Sequence, residues 1–237
     1  MKSKILIADK SNMSGLYKRV MLSNYRELLF LVLIIILANA SIILLPNDLI
    51  KAFVKESGFI ENAQVLCYVA CAIISWVYAK KKLWKSGLSG GIIFMVFALR
   101  ELDIQKRFTI MSVTKTKFFI SPEVTLNAKL ISGAVITSIL TILILFIRKN
   151  YANLFNGLRA AEKWAFSTIT GIVLIGVAVV LDSLIKQLKD FGIIIVKEIE
   201  YRIMMKMSEE MVELAIPIFF LMALLQWRKA VLNRNLN

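Results

Sequence analysis

Apolar residues in this chain gather into long uninterrupted runs, where a water-soluble helix or strand would alternate them with polar ones. Six runs can be separated, and they predict helices over about 27–45, 62–79, 87–103, 128–147, 164–182 and 207–227. The first, LLFLVLIIILANASIILL, ends on the turn signal Pro46-Asn47-Asp48. The second closes on Lys80-Lys81-Lys82, the fourth on Arg148-Lys149-Asn150, the fifth on Asp182 and the sixth on Arg228-Lys229. About 20 apolar residues are needed to cross the hydrocarbon of a bilayer, so runs of this length mark lipid as the solvent. The pattern predicts an all-α, polytopic integral membrane protein of about six transmembrane helices. A basic arm (1–26) precedes the membrane domain (27–230), and a short tail (231–237) follows it.

Composition agrees, with 58% of the 237 residues hydrophobic. The arm lacks a small-residue cleavage pattern after its apolar run, so that run reads as a retained anchor. Thirty Lys and Arg against sixteen Asp and Glu would raise nucleic acid as a partner in a soluble protein. No polar stretch is long enough to build such a domain, and basic loops are what the cytoplasmic side of a membrane protein carries. With both termini cytoplasmic, that side collects 17 of the 30 cations. The acids separate more sharply, because only Asp9, Glu27 and Glu162 fall there. This places the chain in a cytoplasmic (inner) membrane of bacterial type. Cys67 and Cys71, four apart in one apolar run, read as buried thiols that share a helix face.

Two runs are too short. The third has about 12 apolar residues and the sixth about 14, against the 20 or so required. To finish crossing, the third must draw in Arg100, Glu101 and Asp103, and the sixth Glu209, Glu210 and Glu213. Ionisable groups at that depth are costly and normally face a bundle interior. Spacing predicts that Arg100 and Asp103 share a face while Glu101 points about 100° away, and that Glu213 shares a face with both other glutamates. Glu56, Glu61 and Asp182 stand at the same level as helix-ending residues. Carboxylates this close need a counter-charge: Arg100, Lys106, Arg107, protons or a divalent cation. No His/Cys metal motif accompanies them. Pro217, one turn beyond Glu213, is positioned to kink the sixth helix.

The segment 104–127 mixes cations with Phe108, Phe118 and Phe119, a composition suited to the head-group layer. The segment 186–207 reads as a helical extension of the sixth span, with Gly192 as the break before it. Glu209-Glu210 resembles the paired glutamates of CAAX-type intramembrane proteases. That family also needs an arginine where this chain has Leu214, and histidines, of which there are none. Ceramidase-like zinc hydrolases and PAP2-type lipid phosphatases fail on the same absence. Ser112 and Lys115 have the spacing of a Ser-x-x-Lys nucleophile pair, without the elements that accompany it.

The resulting expectation is an acidic, Arg-containing site at the outer-leaflet ends of the third and sixth helices that takes a lipid or lipid-linked anionic head group. Glu101, Asp103, Glu210 and Glu213 would be acid, base or metal ligand, and Arg100, Lys106, Arg107 and Lys115 would hold the anion. The competing expectation is a structural or partner-binding subunit, homo-oligomeric or hetero-oligomeric, with small residues (Gly90, Gly91, Gly133, Gly171, Gly176) allowing close helix contact. Proton- or cation-coupled transport ranks below both, since no charge falls in the inner half of any span.

Overall fold

The computed structural model describes residues 58–104, 113, 116–190 and 199–236, together with Leu29, Leu33 and Ala40, which are helical. Apart from those three positions, the first expected span lies outside the described residues. So do Glu56, Lys106, Arg107, Ser112, Lys115 and Gly192.

Among the described residues the chain forms helices and no strand. They are α1 (Phe59–Lys80), α2 (Gly87–Glu101), α3 (Thr116–Ile120), α4 (Leu126–Arg159), α5 (Lys163–Asp190) and α6 (Ile199–Leu236). Three of them, α1, α4 and the Lys163–Ser183 part of α5, are long and apolar enough to cross a membrane. At about 1.5 Å per residue the 15 residues of α2 reach only about 22 Å. The chain divides into two compact units, residues 55–152 and residues 1–54 with 153–237.

In the 55–152 unit, α1 and α2 form an antiparallel hairpin. Its turn is a Schellman stop: Lys82 takes a left-handed conformation (φ 56°), Lys82 N–H bonds the Ala79 carbonyl at 3.0 Å, and Leu83 N–H bonds the Tyr78 carbonyl at 2.9 Å. Glycine allows the two backbones to meet. A Cβ on Gly87 would run into the Ser75 carbonyl and come within 3.0 Å of the Ala79 nitrogen, and Gly91 lies against the Trp76 indole. Further along, Tyr68 and Phe97 hold their rings 5.5 Å apart. Cys71, Ala72 and Ser75 fill the seam, and the Ser75 hydroxyl donates to the Cys71 carbonyl at 2.7 Å. Cys67 and Cys71 are free thiols, with Cys71 buried.

The hairpin turn is tied to α4, where Trp84 donates its indole N–H to Asn150 Oδ1 at 3.2 Å and sets its ring edge-on to Phe146. The other end of α4 carries the short α3. Of the three phenylalanines expected in the head-group layer, Phe118 is 1% exposed and packs edge-to-face on Phe119. Phe119 in turn approaches Gly133 of α4. This segment therefore folds back on its own unit at Phe118. Thr125 caps α4, its hydroxyl accepting from Ala128 N–H at 3.4 Å.

In the other unit, α4 ends on a second Schellman stop at Ala161 (φ 51°), with Glu162 N–H bonded to the Gly157 carbonyl at 2.8 Å. The chain then returns as α5, which packs antiparallel to α6. Trp164 meets Trp227 with ring centroids 4.6 Å apart, Ser167 donates to Gln226 Oε1 at 2.9 Å, and Gly171 abuts the Phe220 ring. Pro217 lies buried inside α6, which continues through it. Because proline lacks an N–H, the Glu213 carbonyl loses its ordinary helical donor. The expected extension of the sixth span is helical from Ile199 onward.

Candidate functional site

Each hairpin gathers its carboxyl groups at one end. In the α1–α2 hairpin the contacts Gly87–Ala79, Gly91–Trp76 and Tyr68–Phe97 set the register. Continuing it along both helices brings Glu101, the last residue of α2, to the level of Gln64 on α1. Gln64 is 1% exposed, so a neutral polar side chain sits inside this end of the hairpin. Glu61 stands one turn before it, and the charges of Glu61, Asp103 and Arg100 all bear on Glu101.

Arg100 and Glu101 divide as consecutive helical residues must, about 100° apart. The Glu101 side chain is tucked in at 13% exposure, while Arg100 reaches outward at 63%, with 3.9 Å between Nη1 and Oε1. A contact that long, to an arginine that exposed, contributes little to stability. The expected continuation of the helix to residue 103, with Arg100 and Asp103 paired along one face, is not what forms. The helix stops at Glu101, and Asp103 turns left-handed (φ 48°), its N–H bonding the Arg100 carbonyl at 3.0 Å. Aspartate tolerates that conformation better than most residues, so Asp103 has a structural task as the residue that ends α2.

In the α5–α6 hairpin, Trp164–Trp227, Ser167–Gln226 and Gly171–Phe220 fix the register in the same way. Extended along α5, it brings Asp182 to the level of Glu209 and Glu210. Besides Ala165, the buried positions of α5 (Trp164, Ser167, Gly171, Leu174, Ala178) follow three- and four-residue steps, and the next step reaches Leu181 and Asp182. On α6, Glu210 is 7% exposed, whereas Glu209 and Glu213 are half-buried. A carboxyl group at that burial requires hydrogen bonds or a counter-charge, and Glu210, Glu209, Glu213 and Asp182 all have interaction partners in the folded chain.

Sequence reasoning named Glu101, Asp103, Glu210 and Glu213 alike; of these Glu210 is buried and the Glu101 side chain is 13% exposed, while Glu213 is half-buried and Asp103 ends α2. It passed over Gln64 and the Ser167–Gln226 pair. The available signal was modest: a glutamine inside an apolar run has to find a partner when helices pack in lipid. Among the described residues no group of three or more Cys, Asp or Glu has the spacing to hold a metal ion. Comparison of the chain with protein-family models, with curated proteins and with solved structures finds no match to any of them.

Proposed function

We propose that the chain is a six-pass membrane protein with cytoplasmic termini that binds or acts on the anionic head group of a lipid or lipid-linked substrate at the non-cytoplasmic ends of α2 and α6. The observation that carries this reading is that each hairpin collects carboxyl groups at one end and tucks one of them in, Glu101 in one and Glu210 in the other. Packing alone gives no reason to place an acid there, because an alanine or leucine would fill the seam at lower cost. When every apolar run crosses, chain connectivity assigns both acidic ends to the non-cytoplasmic face. Arg100, exposed beside Glu101, is the cation available to an incoming phosphate, with Lys106, Arg107 and Lys115 following in the connecting segment. Glu101 and Asp103 in the one hairpin, and Glu210 and Glu213 in the other, supply acid or base.

Glu210→Gln and Glu101→Gln test this, since each keeps shape and hydrogen bonding while removing the charge. Phosphorus NMR of vesicles made from a polar lipid extract follows head-group conversion by the reconstituted chain. Conversion by the wild type, reduced at least about 100-fold in either variant with unchanged thermal unfolding, is the expected result; a loss of that size is common for a residue doing acid–base work. A wild type that neither converts nor retains an anionic lipid, or variants that behave as the wild type does, overturns the reading.

A second reading, a membrane subunit that presents α4 to another helix, has one observation of its own. No part of the apolar window of α4 is buried, and Leu130, Val135, Leu140, Ile144 and Ile147 are all exposed. With Cys67 and Cys71 replaced by Ala, single cysteines at Leu140 and Ile144 should cross-link between copies if α4 is a subunit interface. Bare monomers at every position along α4 leave it facing lipid.

A further inference from the structure

The opposite end of the α5–α6 hairpin has the reverse electrical character. The register that pairs Trp164 with Trp227 brings Lys163 to the level of Arg228 and Lys229. All three are exposed, and Arg159, exposed as well, sits just before the turn with its guanidinium 4.2 Å above the Phe155 ring. Glu162 is the one acid in the turn between α4 and α5, and none follows Glu213 to the end of the chain. Helix packing therefore holds three like charges at one level across two helices, with Glu162 the one acid beside them. Lys163 is also the first residue of α5, where the opening amides of a 28-residue helix favour negative charge.

The tryptophans say what kind of anion. Tryptophan collects at the boundary between hydrocarbon and head groups, and Trp164 and Trp227 together mark this end as that boundary. Trp164 is 8% exposed, and among the described residues neither indole N–H has an acceptor. In an edge-to-face pair only one N–H can point into its neighbour's ring, so at least one donor stays unused. Basic residues above a tryptophan layer match a phosphate that is attached to a lipid more closely than one free in water. We infer that the Lys163–Arg228–Lys229 end of the α5–α6 hairpin is a binding site for the head group of an anionic phospholipid. This site is separate from the acidic ends and does not depend on what they do.

The test uses the full chain in phosphatidylcholine discs containing a minor fraction of phosphatidylglycerol, with retained lipid counted by native mass spectrometry. The wild type should retain phosphatidylglycerol in preference to phosphatidylcholine, and millimolar inorganic phosphate should not displace it. The Lys163→Gln/Arg228→Gln/Lys229→Gln variant should lose that preference by about tenfold. Lys80→Gln/Lys81→Gln/Lys82→Gln removes as much charge from the turn between α1 and α2, and should change it less than twofold. Equal losses in the two variants would reduce the effect to unspecific surface charge and overturn the assignment. It is overturned equally by a wild type with no preference or by displacement with free phosphate. Because the wild-type preference is itself decisive, a variant that fails to fold still leaves the proposal exposed to refutation.

Discussion

Replacing Gly87 by valine should lower the stability of the chain by about 3 kcal/mol, the upper end of what overpacking a close contact usually costs. The side chain would enter a space already filled by the Ser75 carbonyl and the Ala79 backbone, and neither can rotate away. The hairpin must then open by the width of a methyl group, and Gly91 against Trp76 and Tyr68 against Phe97 loosen with it. Thermal unfolding in detergent reads the loss directly. Gly176 is the control, because nothing lies within 4 Å of its missing Cβ. Gly176→Ala should raise stability by about 0.5–1 kcal/mol through helix propensity alone. Opposite signs at two glycines in apolar helices would confirm the α1–α2 contact, and a neutral Gly87→Val would refute it.

The second large effect is expected at Phe118. A five-residue helix has no stability of its own, since nucleating a turn costs more than so few hydrogen bonds return. What holds α3 in place is the burial of Phe118 and the seating of Phe119 over Gly133. Phe118→Ala removes the larger anchor and should cost about 3 kcal/mol, concentrated in α3. Amides of Lys117–Ser121 should then exchange on the order of 100-fold faster, with the exchange of α5 unchanged. Ile120→Ala, at a position 75% exposed, should leave exchange where it was. If both substitutions behave alike, Phe118 is not an anchor and the segment lies in the head-group layer as its composition alone suggested.

How far the sequence reaches is visible in the helix ends. The apolar runs 62–79, 128–147 and 164–182 locate α1, α4 and α5, because lipid leaves a helix with few ways to interrupt its hydrophobic residues. The same runs under-measure the helices. α4 continues past Arg148-Lys149-Asn150 to Arg159, since hydropathy marks the part of a helix that suits lipid and not the part that is helical. The early stop of α2 was hidden for a related reason: Asp103 acts there as a left-handed terminator, and charge at a helix end looks the same whether it continues the helix or closes it.

For the candidate site, residue types were readable and neighbours were not. Apolar run lengths nominated Arg100, Glu101 and Asp103 on one helix and Glu209, Glu210 and Glu213 on the other, without telling which of them is enclosed. Setting Glu101 beside Gln64, or Asp182 level with Glu210, depends on inter-helix register. That register is fixed by where glycines leave room, for a neighbouring backbone at Gly87 and for an aromatic ring at Gly91 in one hairpin and Gly171 in the other. A periodic list of apolar positions does not encode which glycine faces which partner.

The shortness of α2 has a bearing on where such a chain could work. Placed in a bilayer with about 30 Å of hydrocarbon, a helix of about 22 Å leaves a mismatch of roughly 8 Å. The film around it must thin, or water must follow the polar end inward, and either response brings the region of Glu101 and Gln64 closer to the aqueous phase. If α2 crosses as proposed, the penalty grows with acyl chain length, and a thin, fluid bilayer accommodates it at lower cost than a thick, sterol-rich one. Acyl chain length then becomes a control on how wet that end of the hairpin is, set by the host membrane and not by the chain.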